Sequence, residues 1–149
     1  MKRVSCQACP LRALPLFNEH APAEAALIES LKREQVVMQA DRSIIHEGKT
    51  NAPLYTLLSG SAFRYKTLSD GRRRILKFLL AGDFIGVQQK MGDASAHGVQ
   101  ALTDVALCVF HARRCLGTAP LCAHARFRGD LAHGARGIGR RRHLALGRP

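Results

Sequence analysis

Residues 44–86 read IIHEGKTNAPLYTLLSGSAFRYKTLSDGRRRILKFLLAGDFIG, and the order of apolar runs and turn residues here decides the fold. Short runs rich in Leu, Ile, Phe and Tyr are broken by Gly48, Gly60, Gly71 and Gly82. That is about the 8–12-residue interval at which turns separate strands in sandwiches and barrels. Asp70-Gly71 lies between two alternating runs and marks a tight hairpin, because such a turn needs a positive φ that glycine accepts without steric cost. Outside the stretch, QVVMQA, HGVQAL and VALCVFH continue the β texture. Upstream, APAEAALIESLKRE sets Ala23, Ala26, Leu27 and Leu31 on one side of a short amphipathic helix. The expected fold class is mainly β: a jelly roll, or double-stranded β-helix, with a short N-terminal helix.

A chain of 149 residues, 46% of them hydrophobic, can bury one ordinary core, so one domain is expected. No apolar stretch is long enough to span a bilayer, and MKRVSCQACP at the N-terminus lacks the apolar centre of a signal peptide. The expectation is a cytoplasmic protein with no membrane partner. In that compartment five cysteines, an odd number, do not make a disulfide framework, so any role for them is metal or redox chemistry.

The net charge of +12 is unevenly spread: residues 113–149 carry nine Arg and one Asp, which supplies +8 of it. The tail RFRGDLAHGARGIGRRRHLALGRP reads either as a basic nucleic-acid arm or as a segment without a designed fold, since it lacks a helical apolar period and has scattered Gly. An irregular or weakly helical tail is expected. The division is thus a cysteine-containing arm at 1–16, a β domain at 17–112 and an atypical basic tail at 113–149.

The patterns E-G, L-Y-x-L-x-S-G, D-G-R-x-x-x-L and G-D-x-x-G in residues 44–86 resemble the sensor domain of the CRP/FNR family of bacterial transcription regulators. The resemblance covers roughly residues 17–112. It implies a cyclic-nucleotide-binding-like β-roll, a homodimer, and DNA as the partner of a separate helix-turn-helix domain. No helix-turn-helix pattern is present in this chain, so DNA contact is expected only through a domain absent from it. Read one base out of frame with GC-rich codons, the tail gives a segment with a helical apolar period resembling the family's dimerisation helix. A frameshift is therefore expected to have replaced the dimer helix and the DNA-binding domain.

Within the resemblance, Gly82, Asp83 and Gly86 form the turn that precedes the family's nucleotide cradle. A cyclic nucleotide needs a carboxylate for the ribose hydroxyl and a fixed cation with backbone donors for the phosphate. Here Gly86-Val87 stands where Gly-Glu is expected, and ASAHGVQA stands in place of the stretch that holds the Arg. Lys90 lacks a guanidinium fork and neutral His97 lacks a charge. Binding of cyclic AMP in the usual way is not expected.

CQACPLRALPLFNEH resembles the cysteine arm of the FNR branch, with Cys6 and Cys9 as the first pair and Cys108 in the position of the late ligand. The third arm position is Pro15. An iron-sulfur cluster or another metal at Cys6, Cys9 and Cys108 is one expectation; a four-iron cluster normally takes four thiolates. The residues also allow a redox pair at Cys6 and Cys9, or an inert arm, with Cys108 as a small buried core residue. Cys115 and Cys122 lie in the tail.

Arg72-Arg73-Arg74 reads as a solvated hairpin shoulder, with Arg72 and Arg74 on one side of the strand and Arg73 on the other. His46 and Glu47 are the only strand-borne pair that could start a cupin-like metal site, and successive strand residues face opposite ways. With no nucleophile–base pairing either, no enzyme is expected. The reading that remains is the sensor domain of a CRP/FNR-type regulator. The alternative is a stand-alone metal, iron-sulfur or redox module that uses Cys6 and Cys9 and acts through a protein partner.

Overall fold

A computed structural model describes residues 4–18, 22–87 and 93–111. Lys90, the tail from residue 112 onward, and with it Cys115 and Cys122, lie outside the described residues. The arm enters through a 3-10 turn at Pro10–Ala13, followed by helices α1 (Pro15–Asn18) and α2 (Pro22–Leu31). Eight strands follow: β1 (Lys32–Met38), β2 (Ser43–Ile45), β3 (Leu54–Ser59), β4 (Ala62–Thr67), β5 (Arg73–Leu79), β6 (Phe84–Ile85), β7 (Gly98–Ala101) and β8 (Val105–Phe110). They form two four-stranded antiparallel sheets, ordered β1-β8-β3-β6 and β2-β7-β4-β5. The fold is the jelly roll that the spacing of turns predicts.

The alternation along the strands builds two apolar layers rather than one. Between the sheets lie Ile44, Ile45, Leu57, Leu79, Ile85, Val99, Val105 and Leu107, among others. Leu57, Leu79, Ile85 and Leu107 are fully buried, and each contributes on the order of 2 kcal/mol through burial alone. On the other side of the first sheet, Leu54, Leu58, Ala106, Cys108 and Phe110 meet Leu11, with Cys9, Leu14, Phe17, Ile28 and Leu31 packed around them. The arm and α2 therefore roof the outer face of one sheet. That roof is where the candidate site lies.

Helix α2 is shorter than its sequence suggests, and it turns a different face inward. Lys32–Met38 pair along β8, from Lys32 opposite Phe110 to Met38 opposite Val105, so the last residues of the apparent helix belong to a strand. Its buried side is Ala25 with half-buried Ile28 and Leu31, whereas Ala23, Ala26 and Leu27 are exposed. The helix leads directly into β1 without a loop. Its rotation is therefore set by the strand pairing and not by its own weak apolar stripe.

One other reading shifts. His46 and Glu47 lie beyond β2, in the turn, so they are not a strand-borne pair. The Glu47 carboxylate instead binds across to the next hairpin, accepting the Thr67 N–H at 3.0 Å and pairing with the Lys66 ammonium. Just before β5, Arg72 pairs with Asp70 at 2.7 Å. Arg73 crosses its neighbour, with its guanidinium 4.4 Å from the Tyr65 ring centre and a 2.7 Å hydrogen bond to Gln100 on β7. No described helix is long and apolar enough to cross a membrane.

The Glu47 contacts predict an acid-sensitive tether. Hydrogen bonds from Lys66 and Thr67 lower its carboxyl from 4.5 to about 2. A carboxyl with a lowered folded-state pKa contributes stability above its ordinary value and loses it as pH falls toward the lowered one. Denaturant unfolding of wild type and Glu47→Gln, compared across pH, should show a small wild-type advantage above pH 4.5 that vanishes as pH approaches about 2. Its size is limited because solvent screens a pair this exposed.

Candidate functional site

The turn after β5 holds Gly82 and Asp83, with Gly86 just past β6, and these groups are largely committed to the fold. Asp83 is buried, and its Oδ2 accepts the Leu80 N–H at 2.8 Å across the turn. Its backbone carbonyl accepts the Leu57 N–H at 3.0 Å, and the Leu57 carbonyl accepts the Gly82 N–H at 2.7 Å. The turn is thus fastened to the middle of β3. Gly86 has φ of 91°, and a Cβ there would lie 2.3 Å from the Pro53 carbonyl oxygen. Only glycine allows that approach of backbone to backbone.

Val87 follows Gly86, and its side chain packs with the outer apolar cluster. The position that the cradle pattern reserves for a carboxylate is therefore used for burial. His97 is half-buried, and its carbonyl accepts the Ser95 hydroxyl at 2.8 Å. Among the described residues of this turn, no carboxylate takes the place that a ribose hydroxyl requires.

The cysteines behave differently, because the fold brings together what the chain separates. Cys6, Cys9 and Cys108 line one cavity of about 60 Å³ beneath the arm, with Leu11, Phe17, Ile28, Leu58, Phe84 and Phe110 among its walls. Cys108 points into it because β8 alternates: Val105 and Leu107 enter the inter-sheet core, and Ala106, Cys108 and Phe110 face the roof. Cys6 is placed by its backbone N–H, which donates to Glu29 on α2. Cys9 precedes the 3-10 turn, where its carbonyl accepts the Arg12 N–H at 3.0 Å.

Burial decides the state of these thiols. Desolvation pushes Cys6 up to about 11, opposed by the Lys32 ammonium and reinforced by Glu29 and Cys108. The Cys108 thiol is also raised by burial, against a hydrogen bond from Gln35 Nε2 at 3.5 Å and the pull of Lys32. Both are protonated at neutral pH, so neither is an activated nucleophile. Among the described residues no group of three His, Cys, Asp or Glu is arranged to hold a metal ion. Three cysteines at this cavity fall one short of the four-thiolate ligand set that a four-iron cluster normally takes.

Sequence reasoning named all three cysteines but missed the side chains that place them: Glu29, Lys32 and Gln35. Glu29 and Lys32 read as the polar side of a helix, and Gln35 as an ordinary strand residue. Only the pairing of β1 with β8 reveals that they face the arm.

Comparison with known proteins follows the same lines. Residues 35–117 match the cyclic nucleotide-binding domain family. The chain is 31% identical over 102 residues to the transcriptional activatory protein AadR of Rhodopseudomonas palustris, covering 68% of this chain and 41% of that protein. It is 30% identical over 105 residues to the transcriptional activator protein FnrL of Cereibacter sphaeroides, covering 70% and 41%. The chain spans about two fifths of the length of these curated relatives. Among solved structures, the Catabolite Activator Protein of Thermus thermophilus superimposes with a TM-score of 0.66 at 26% identity, over 82% of this chain and 58% of that one. The regulatory domain of Toxoplasma gondii PKA, solved with cAMP, shares the fold with a TM-score of 0.62 at 21% identity, over 80% and 45%.

The turn geometry separates two glycines that look alike in sequence. Gly71 also has a positive φ, but a Cβ there meets nothing within 4 Å. Gly71→Ala should cost about 1 kcal/mol from backbone strain alone. Gly86→Ala adds a clash with backbone and should cost about 3 kcal/mol or more. Urea unfolding midpoints of the two variants measure the difference.

Proposed function

Because this chain belongs to the cyclic nucleotide-binding domain family, with CRP/FNR-type regulators as its relatives, we propose that it is the sensor domain of such a regulator, receiving its signal at the thiol cavity and not as a cyclic nucleotide. The observation that carries this reading is the convergence of Cys6, Cys9 and Cys108 on one apolar cavity, from an arm and a strand about a hundred residues apart in the chain. Three sulfur atoms in apolar surroundings suit a thiophilic species, an oxidant in the present arrangement or a soft metal ion once the sulfurs draw together and shed their protons, and suit neither a sugar nor a phosphate. Asp83, spent on its own turn, and Val87, spent on packing, support the second half of the reading.

In this reading the domain binds and relays and has no catalytic role. The signal passes through the roof: the arm, α2 and β8 share one apolar cluster, so a change at the thiols alters the packing of the arm on the sheet. DNA recognition and dimerisation belong to other parts of the regulator, in a cytoplasmic setting. The second reading, a stand-alone thiol module acting through a protein partner, uses the same cavity. It is favoured only by the exposed apolar side chains of β5, among them Ile75 and Phe78.

Two measurements test the proposal. Isothermal titration with cyclic AMP should give no binding heat, and a saturable, stoichiometric response would overturn the second half. Anaerobic titration with Co²⁺, a coloured stand-in for soft divalent ions, should give a thiolate-to-cobalt absorption band. Because the thiols must shed protons to bind, the apparent affinity should rise with pH. Cys108→Ala should weaken the band at least about tenfold through loss of one donor. An unaltered spectrum in that variant would exclude Cys108 from the site.

A further inference from the structure

The outer apolar cluster takes its arm members from Cys9, Leu11, Leu14 and Phe17. Residues 4–6 are held instead by polar side chains from the junction of α2 and β1. Gln35 grips the Val4 backbone on both sides, its Oε1 accepting the Val4 N–H at 2.8 Å and its Nε2 donating to the Val4 carbonyl at 3.2 Å. The Lys32 ammonium donates to that carbonyl at 2.6 Å and lies 3.4 Å from Glu29 Oε1. The other oxygen of Glu29 accepts the Ser5 hydroxyl at 3.0 Å and the Cys6 N–H.

The Lys32 side chain is 0% exposed. Burying an ammonium is costly unless it is paired and hydrogen-bonded, and here a helix carboxylate and an arm carbonyl meet that requirement together. Lifting residues 4–6 away would leave the charge with one partner fewer. The arm is therefore coupled to the α2–β1 junction by more than surface contact. The same Gln35 amide that holds Val4 also reaches the Cys108 sulfur at 3.5 Å, so one side chain touches both the arm and a residue lining the cavity.

We propose that Glu29, Lys32 and Gln35 are positioning residues that clip residues 4–6 to the α2–β1 junction and thereby hold the Cys6 thiol within bridging reach of Cys108 across the cavity. The inference rests on the thiol reading of that cavity but makes a separate claim, about what sets the distance between two of its sulfurs. It also explains why a polar clip lies at the rim of an apolar roof. Apolar packing tolerates sliding, whereas the paired hydrogen bonds of Gln35 to the N–H and C=O of one residue fix both position and direction.

The test is dibromobimane cross-linking in the full chain carrying Cys9→Ser, Cys115→Ser and Cys122→Ser, which leaves Cys6 and Cys108. Each sulfur displaces one bromide to form a thioether, releasing two bromides and two protons, and the bridged product fluoresces. The parent should bridge Cys6 to Cys108, as verified by peptide mass. Gln35→Leu and Lys32→Met should bridge at least about tenfold more slowly through loss of proximity. Glu29→Gln keeps an oxygen for the Cys6 N–H but removes the negative charge beside the buried Lys32 ammonium, and should bridge at a rate between those of the parent and Lys32→Met. Circular dichroism and single-site alkylation of Cys108 establish that the variants are folded. Equal bridging rates in Gln35→Leu and its parent, or no bridging in the parent, would overturn the clip. The Co²⁺ titration of the unsubstituted chain separates this claim from the one beneath it. Clip-dependent bridging without a cobalt band upholds the clip while the metal-binding form of the thiol reading fails; a cobalt band with clip-independent bridging does the reverse.

Discussion

The structure depends on β8 being buried on both of its faces. All six of its residues, Val105 to Phe110, are buried, and the strand pairs with β1 on one side and β3 on the other. An antiparallel sheet commonly leaves one face to water, and the polar residues of a strand then mark that face. Here alternate residues go to the inter-sheet core and to the roof, so β8 reads as a continuous apolar run. Everything above the sheet, the arm, α2 and the thiol cavity, exists because Ala106, Cys108 and Phe110 need cover.

That constraint explains why the outer layer is built as it is. A four-residue α1 and a ten-residue α2 bury little by themselves. They are short of the length at which isolated helices persist in water, so their stability comes from packing on the sheet. The register of β1 against β8 decides which side of α2 packs, since helix and strand join without a loop. The same register brings Lys32 and Gln35 to the arm and makes Lys32 a buried residue.

The turn at Gly82-Asp83 shows how a family signature can be about architecture. In this chain the Gly and Asp serve the backbone, which is fastened to Leu57 of β3 through both residues, with the carboxylate accepting the Leu80 N–H. A ligand site built on such a turn would need further residues after it. In this chain the first of those positions, Val87, contributes to the hydrophobic roof. The turn and the cradle are separable, and here the turn is explained without the cradle.

By itself the sequence determined the mainly β fold, through turn residues spaced at strand length, the Asp70-Gly71 hairpin and the glycines that only a positive φ requires. These are local signals, set by the conformational preferences of one to four residues, and local preference survives any tertiary context that agrees with it. The sequence also singled out Cys6, Cys9 and Cys108 as chemistry-bearing residues. What only the tertiary structure decided was long-range: which face of α2 turns inward, where the helix yields to strand, and that the three thiols share a cavity with Glu29, Lys32 and Gln35 behind them. Those outcomes follow from the pairing of residues some 70 positions apart, as when Gln35 meets Cys108. A periodicity read along the chain carries no information about the partner strand, and it is the partner strand that chose the buried side.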